Sequence, residues 1–125
     1  MTIAFWCVLA AAFLPFVAVG LAKWDASFDN AAPREWLERR EGWRKRAYWA
    51  HQNSFEAFPP FAAAVIIAHV AGGSPVAIDF LALGFVAARI AYIACYVTDR
   101  PTLRSIVWTA GFACVVGLFV AGARG

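Results

Sequence analysis

Three polar side chains, Arg89, Tyr92 and Tyr96, interrupt an apolar stretch that runs from Val76 to Val97. Their spacing of three and then four residues places them on one face of a helix. A guanidinium within a membrane-length segment costs about 2.5–3.5 kcal/mol on insertion scales, so it is expected to face a bundle interior that offers a partner or a ligand. Arg89 therefore marks a candidate binding site.

Two further polar stripes accompany this one. Arg46, Asn53 and Glu56 follow each other at offsets of seven and three residues on the preceding long helix, and Arg104 and Ser105 open the last helix. Antiparallel packing would bring the polar ends of the three helices together. The resulting pocket would contain an amide, a carboxylate, two phenols and several guanidinium groups.

Such a pocket is suited to a small zwitterionic peptide. Arginine binds carboxylates bidentately, Glu56 can accept an ammonium group, and Asn53 can bind peptide groups. Glutathione, with two carboxylates and one amine, fits these groups, and a cation such as Arg104 would favour its nucleophilic thiolate. A second interpretation remains open, in which Arg89 and Glu56 form a buried ion pair and Asn53 links two helices.

The composition predicts the elements that must position these residues. Of 125 residues, 62% are hydrophobic and only 15% are charged, which indicates one integral membrane domain over residues 1–125. Spans of about 20 apolar residues predict an all-α bundle of four transmembrane helices, near residues 3–22, 47–71, 76–97 and 102–123. The first is interpreted as a span rather than a cleaved signal, because nothing basic precedes it.

The connecting segments carry their own signals. Pro33 predicts the first turn of a short helix that holds Trp36 and Leu37 at the interface. The second long helix is expected to begin near residues 41–46, before the membrane, and Arg100-Pro101 is expected to end the third.

The basic residues predict the orientation in the membrane. Segment 23–46 holds seven Lys or Arg residues, Arg100 and Arg104 lie in segment 98–104, and the opposite side offers Arg124. Both segments are therefore predicted to be cytoplasmic, with both termini on the other side. Because segment 23–46 also holds five acidic residues, it gives weak support for contact with anionic lipids and none for a nucleic-acid partner.

The cysteines and histidines give no reason to expect a metal site. His51 and His69 lie eighteen residues apart on one helix, about 27 Å, so they cannot share an ion. His51 is expected near the ligand, whereas His69 and Asp79 are expected at the far interface. The cysteines show no paired spacing and are interpreted as ordinary buried thiols: Cys7, Cys95 and Cys114.

The chain resembles the family of membrane-associated proteins in eicosanoid and glutathione metabolism (MAPEG), in a bacterial type, in two strings. The first runs from Arg46-Ala47 through Ala50-His51-Gln52-Asn53-Ser54-Phe55-Glu56 to Pro59. The second runs from Arg89 through Tyr92 and Tyr96 to Pro101, Arg104-Ser105 and Trp108. With four predicted spans in the matching order, the resemblance covers nearly the whole chain.

The resemblance implies a homotrimer in a bacterial inner or plasma membrane, with glutathione as cosubstrate between neighbouring subunits near the cytoplasmic face. Arg104 matches the arginine that stabilises the thiolate, with Ser105 beside it as the second candidate catalytic residue. The residues expected to bind glutathione are Lys23, Arg46, His51, Asn53, Glu56, Arg89, Tyr92 and Tyr96.

Two positions depart from the family pattern. Trp49 stands where glutathione-using members commonly have arginine, and Trp108 replaces a frequent tyrosine; Arg46, one turn before Trp49, is a candidate substitute. The first expectation is a glutathione-dependent transferase or peroxidase that acts on lipophilic electrophiles or lipid hydroperoxides arriving from the bilayer. The alternative is a non-catalytic membrane subunit or lipid-binding protein with the same bundle.

Overall fold

Five helices make up the chain in the computed structural model, which describes all 125 residues. Four are long: α1 (Ile3–Lys23), α3 (Gly42–Val70), α4 (Pro75–Val97) and α5 (Pro101–Ala123). The remaining helix, α2 (Pro33–Glu38), is short and lies in the segment between α1 and α3. Pro33, Pro75 and Pro101 each occupy the first turn of a helix, where the missing N–H breaks no hydrogen bond.

The long helices alternate in direction and therefore place two sets of connections at opposite ends of the bundle. Segment 24–41 and the turn at residues 98–100 lie at one end, here called the loop end. Both termini and the turn at residues 71–74 lie at the other, here called the terminal end. Helix α1 packs against α3 and α4, whereas α5 packs against α4 and α3.

The core has only small residues on its α1 side, whereas the other helices contribute its large residues together with alanines. Phe61, Ile78 and Leu118 are fully buried, and the ring of Phe61 stacks on Phe85 with centroids 3.9 Å apart. On the α1 side the core residues are small, which allows the helices to approach closely: Ala4, Cys7 and Ala11.

Three helices, α1, α4 and α5, are long and apolar enough to cross a membrane. Helix α3 is not among them; it carries Arg44, Lys45 and Arg46 in its first turns and Asn53 and Glu56 farther along. It begins at Gly42, which confirms the expectation that this helix starts near residues 41–46.

The loop end is held together by α2 and by a tight turn after α4. Trp36 and Leu37 are buried against α1 and α3. Asp99 takes a left-handed conformation (φ 58°), and the N–H of Arg100 donates to the carbonyl of Cys95 at 2.8 Å. This Schellman-type ending of α4 is followed at once by Pro101, so Arg104 lies in the first turn of α5.

The terminal end carries a polar cluster that ties three helices together. A carboxylate oxygen of Asp79 on α4 accepts a hydrogen bond from the backbone N–H of Ala4 at 2.8 Å, and so caps α1. The Thr2 hydroxyl lies 2.9 Å from His69 Nε2, and His69 Nδ1 lies 2.8 Å from the Val65 carbonyl. His69 and Asp79, expected only as interfacial residues, thus fix the start of α1.

Candidate functional site

A line of hydrogen bonds joins three residues of the polar stripes. Arg89 Nη2 donates to Asn53 Oδ1 at 2.8 Å, and the Asn53 amide in turn donates to Glu56 Oε2 at 3.3 Å. Ser54 Oγ lies 3.5 Å from the same guanidinium nitrogen. Arg89 is only 3% exposed, so this α4 side chain reaches into the bundle and fixes the orientation of the asparagine on α3.

The ion pair between Arg89 and Glu56, the second interpretation of the sequence, is not formed directly. The chain contains two ion pairs, Arg39 with Glu35 and Arg44 with Asp25. Asn53 lies between Arg89 and Glu56 instead, because its amide can accept from one and donate to the other. The Glu56 carboxylate is exposed and has no cationic partner within the subunit.

Aromatic rings continue the site toward the loop end. The rings of Tyr92 and Tyr96 meet edge to face at 5.6 Å, and the guanidinium of Arg89 lies 4.1 Å from the Tyr92 ring. The guanidinium of Arg104 lies over the Tyr96 ring at 4.3 Å, and the centroid of the Trp49 ring lies 6.3 Å from that of Tyr96. Cations on α4 and α5 are therefore held against the faces of the two phenols.

Together these residues line an open groove on the subunit surface, here called the α3–α4 groove. It contains one carboxylate, two amides and three aromatic rings from Trp49, Gln52, Asn53, Glu56, Tyr92 and Tyr96. Arg89 lies beneath it and Arg104 at its loop end. Gln52 was not selected from the sequence, although its position beside Asn53 could have suggested it.

Ser105 lies next to Arg104 but outside the groove. Its hydroxyl donates to the Pro101 carbonyl at 3.2 Å, and it lines a shallow depression with Arg104 and Thr109. The structure therefore brings Arg104 to the tyrosines, whereas Ser105 remains a neighbour on the adjacent face of α5.

Arg46 is occupied elsewhere. Its Nε and Nη2 atoms donate to the Val97 carbonyl at 3.2 and 3.0 Å, and so satisfy the end of α4. Lys45, its neighbour, lies 5.9 Å from the Trp49 ring. Arg46 was the candidate substitute for the arginine that Trp49 replaces. These contacts do not support a role for Arg46 in binding the ligand.

His51 and Lys23 lie on a different face of the subunit from the groove. His51 Nδ1 lies 2.7 Å from the Pro15 carbonyl, and Lys23 lies 5.1 Å from the ring of Phe28. Both line a second open depression, here called the α1–α3 depression, with residues that include Arg34, Glu38, Gln52 and Phe55. Only Gln52 lies at the edge of both surfaces.

The cysteines are free. Cys7 and Cys95 are buried and Cys114 is partly buried, and none lies in the groove or the depression. The candidate site therefore contains no thiol of its own, so thiol chemistry there requires one brought by a ligand.

An all-helical bundle with three apolar, membrane-length helices and a polar groove at one end defines a class of integral membrane protein. The chain belongs to the MAPEG family, whose model matches residues 3–124. Members of this family include glutathione transferases and peroxidases as well as non-catalytic proteins, and they commonly use glutathione. A comparison with curated proteins and one with solved structures give no match.

Proposed function

We propose that the protein is a glutathione-dependent membrane transferase or peroxidase, and that the α3–α4 groove binds the peptide. The observation that supports it is the Glu56 carboxylate. It is oriented by Asn53, surrounded by aromatic rings and left without a cation in its own subunit. An unpaired carboxylate at membrane depth is costly, so a ligand ammonium group would remove a penalty that the free subunit carries.

The remaining groups of glutathione find matching partners around Glu56. Asn53 and Gln52 offer amides for the peptide groups, and the phenols of Tyr92 and Tyr96 offer donors for oxygen atoms. Arg104 would lie beside the sulfur. Its guanidinium and the positive end of α5 both favour a thiolate there.

The thiolate would then act on a lipophilic substrate. With an electrophile, a carbon–sulfur bond forms and a leaving group departs with its electron pair. With a hydroperoxide, sulfur takes the distal oxygen, the O–O bond breaks and an alcohol is released, and a second glutathione displaces the oxygen as water to give the disulfide. Both reactions consume the thiol that the protein itself lacks at this site.

The proposal extends to the assembly and its place in the membrane. Helix α3 would form the fourth span with its polar face turned away from lipid, because three equivalent subunits in a homotrimer can cover it. Segment 23–46 and the turn at 98–104 would face the cytoplasm, as the excess of basic residues favours. For a bacterial member, this corresponds to the inner membrane.

A second candidate function is a non-catalytic subunit or lipid-binding protein. Two observations favour it: Trp49 replaces an arginine expected from the family pattern, and Arg46 is committed to the Val97 carbonyl. The cation available to bind a peptide carboxylate would then be Arg104 or one from a neighbouring subunit.

Isothermal titration of glutathione into the purified protein in lipid nanodiscs distinguishes the two functions. S-methylglutathione serves as the matched ligand, because it keeps both carboxylates and the amine but cannot form a thiolate. The proposal predicts saturable binding of both peptides, with tighter binding of the free thiol. Absence of heat for both peptides, with the protein intact, would leave the non-catalytic function.

A further inference from the structure

Three aromatic rings form an angled wall along the α3–α4 groove. The lining of the groove includes these rings and one carboxylate, from Trp49, Tyr92, Tyr96 and Glu56. The Tyr92 and Tyr96 rings meet at 85°, and the Trp49 ring is tilted by 45° from that of Tyr96. The groove therefore presents ring faces in several directions next to a negative charge.

The rings of this wall already attract cations of the chain itself. The guanidinium of Arg89 lies 4.1 Å from the Tyr92 ring, and that of Arg104 lies 4.3 Å from the Tyr96 ring. The face of an aromatic ring is partly negative, so it stabilises a cation placed over it, and tryptophan does so most strongly. Each phenol has a guanidinium over one face, whereas Trp49 has none.

Trp49 is the ring that is open to a cation from outside the chain. Its side chain is 43% exposed, and one cation of the chain approaches the ring, Lys45 Nζ, at 5.9 Å. That ammonium group donates to the Glu38 carbonyl and lies closer to the Tyr48 ring, at 5.6 Å. Lys45 is therefore engaged elsewhere, and the indole of Trp49 remains accessible to a ligand.

Glu56 supplies the negative charge that a bound cation needs. Trp49 and Glu56 are seven residues apart, so they share one face of α3. Asn53 lies between them and donates to the carboxylate at 3.3 Å, and Glu56 has no ion-pair partner in the subunit. A cation between Trp49 and Glu56 would gain both Coulomb attraction and contact with an aromatic face.

The hydrogen-bonding groups of the groove favour a cation that has no N–H donors. The side-chain oxygen of Asn53 already accepts from Arg89, and its amide donates to Glu56. An indole is a donor only, so Trp49 offers no acceptor to a primary ammonium group. A trimethylammonium group needs no acceptor, and contact with aromatic rings is the usual way in which proteins recognise it.

The guanidinium groups beside the groove require that the ligand carry an anion as well. Arg89 and Arg104 outnumber Glu56, so a purely cationic ligand would meet a net positive charge. The guanidinium of Arg104 and the Trp49 ring both lie within 6.3 Å of the centre of the Tyr96 ring. One small zwitterion can therefore place its cation at Trp49 and its carboxylate at Arg104, which binds carboxylates bidentately.

We propose that the α3–α4 groove also binds a small soluble betaine, a trimethylammonium group joined by a short chain to a carboxylate. The ligand enters from the loop end with its cation first, because Arg104 lies at that end and Glu56 lies farther along α3. A choline lipid has the opposite order, with its phosphate nearer the bilayer than its trimethylammonium group. The inference goes beyond the proposed function: both ligands use Glu56 and exclude each other, but neither requires the other.

Three carboxylates of similar shape test the role of the cation. γ-Butyrobetaine carries the trimethylammonium group, γ-aminobutyrate carries a primary ammonium group, and 5,5-dimethylhexanoate carries an uncharged tert-butyl group. Each is titrated, without glutathione, into the protein in nanodiscs of phosphatidylglycerol, and the heat from empty nanodiscs is subtracted. We expect the betaine to bind about tenfold more tightly than either of the other two, as expected for a cation held against tryptophan.

Variants of the indole locate the site. Trp49→Leu should weaken betaine binding about fivefold, whereas Trp49→Phe, which keeps an aromatic face, should retain most of it. Trp43→Leu is the matched control, because Trp43 lies on the same helix, is 38% exposed and does not line the groove. Thermal unfolding of each variant verifies that a change in binding does not arise from loss of the fold.

The outcomes separate this inference from the proposed function. No preference for the betaine, or equal losses in Trp49→Leu and Trp43→Leu, would overturn the inference even if glutathione binds. A preference that depends on the Trp49 ring supports it even if glutathione gives no heat. Weaker betaine binding in nanodiscs of phosphatidylcholine would show that a lipid headgroup fills the groove, which overturns the assignment to a soluble ligand.

Discussion

Asn53 is the residue on which the candidate site depends. It lies between a buried guanidinium and an exposed carboxylate, accepting from one and donating to the other. The sequence suggested a choice between a ligand site and a buried ion pair. The observed arrangement leaves the negative charge of Glu56 unpaired, which favours a ligand more than a direct ion pair would have done.

Glu56→Gln tests whether that carboxylate binds an ammonium group. The amide keeps the shape of the side chain but loses the charge, so glutathione affinity should fall by about 1.5–3 kcal/mol, the usual contribution of a charge-assisted hydrogen bond. Thermal stability should not fall, because no cation of the subunit pairs with Glu56. Titration calorimetry measures the first effect and thermal unfolding the second; a loss of stability with unchanged affinity would support a structural role.

Arg104→Gln tests the assignment of the thiolate. Removal of the guanidinium over Tyr96 should return the pKa of bound glutathione toward its free value of about 8.5, while much of the affinity remains on α3 and α4. The ultraviolet absorbance of the thiolate against pH gives that value. Arg100→Gln is the control, since Arg100 lies at the same end of the bundle outside the groove. A wild-type complex with an unshifted thiol would contradict catalysis at this site.

At the scale of the elements, the three apolar helices could be predicted almost to the residue. Their long, mostly apolar runs and the prolines at residues 75 and 101 indicate where they begin. The contacts at the loop end could not be predicted in the same way. That Arg46 binds the Val97 carbonyl depends on the left-handed turn at Asp99, which no periodicity reveals.

The sequence alone predicts that the side chains of His51 and Asn53 lie on different faces of α3. Two residues along a helix correspond to about 200° of rotation, so the two side chains must point to opposite faces. The family resemblance placed them in one site, and within one subunit the geometry does not.

The conformation of the segment between α1 and α2 is stabilised by the carboxylate of Asp25. Asp25 accepts from the backbone N–H and the hydroxyl of Ser27, each at 2.8 Å, with Arg44 3.7 Å away. These hydrogen bonds and the cation hold the pKa of Asp25 below its ordinary value of 3.8. The ionised form therefore stabilises the turn at neutral pH, and this contribution is lost as pH falls through the lowered pKa.

A pH titration of the Ser27 amide by NMR, followed in the purified protein, tests this turn. The chemical shift should change with a midpoint below 3.8, because the folded state favours the ionised carboxylate. Asp25→Asn keeps an acceptor oxygen but cannot titrate, so its Ser27 amide should show no such step. A midpoint at or above 3.8 would mean that the hydrogen bonds do not persist in solution.

At the scale of the whole molecule, the two polar surfaces lie on neighbouring faces of α3 and meet at Gln52. The α3–α4 groove offers an acid and aromatic rings, whereas the α1–α3 depression offers Lys23, Arg34 and His51. A ring of three subunits in which each groove meets the next depression would supply the cations that each groove lacks. Interfaces of this head-to-tail kind close when the rotation between subunits is a third of a turn.

Native mass spectrometry and mixed assemblies test the trimer together. We expect a trimer in gentle detergent, with neither Glu56→Gln nor His51→Ala homotrimers binding glutathione at full affinity. The Glu56→Gln subunit keeps an intact depression, and the His51→Ala subunit keeps an intact groove. A head-to-tail trimer that contains both variants therefore has one junction at which an intact groove meets an intact depression. Mixed trimers, isolated through two affinity tags, should therefore regain one binding site each. A monomer in detergent would contradict the assembly, and mixed trimers that regain no site would show that each site lies within a single subunit.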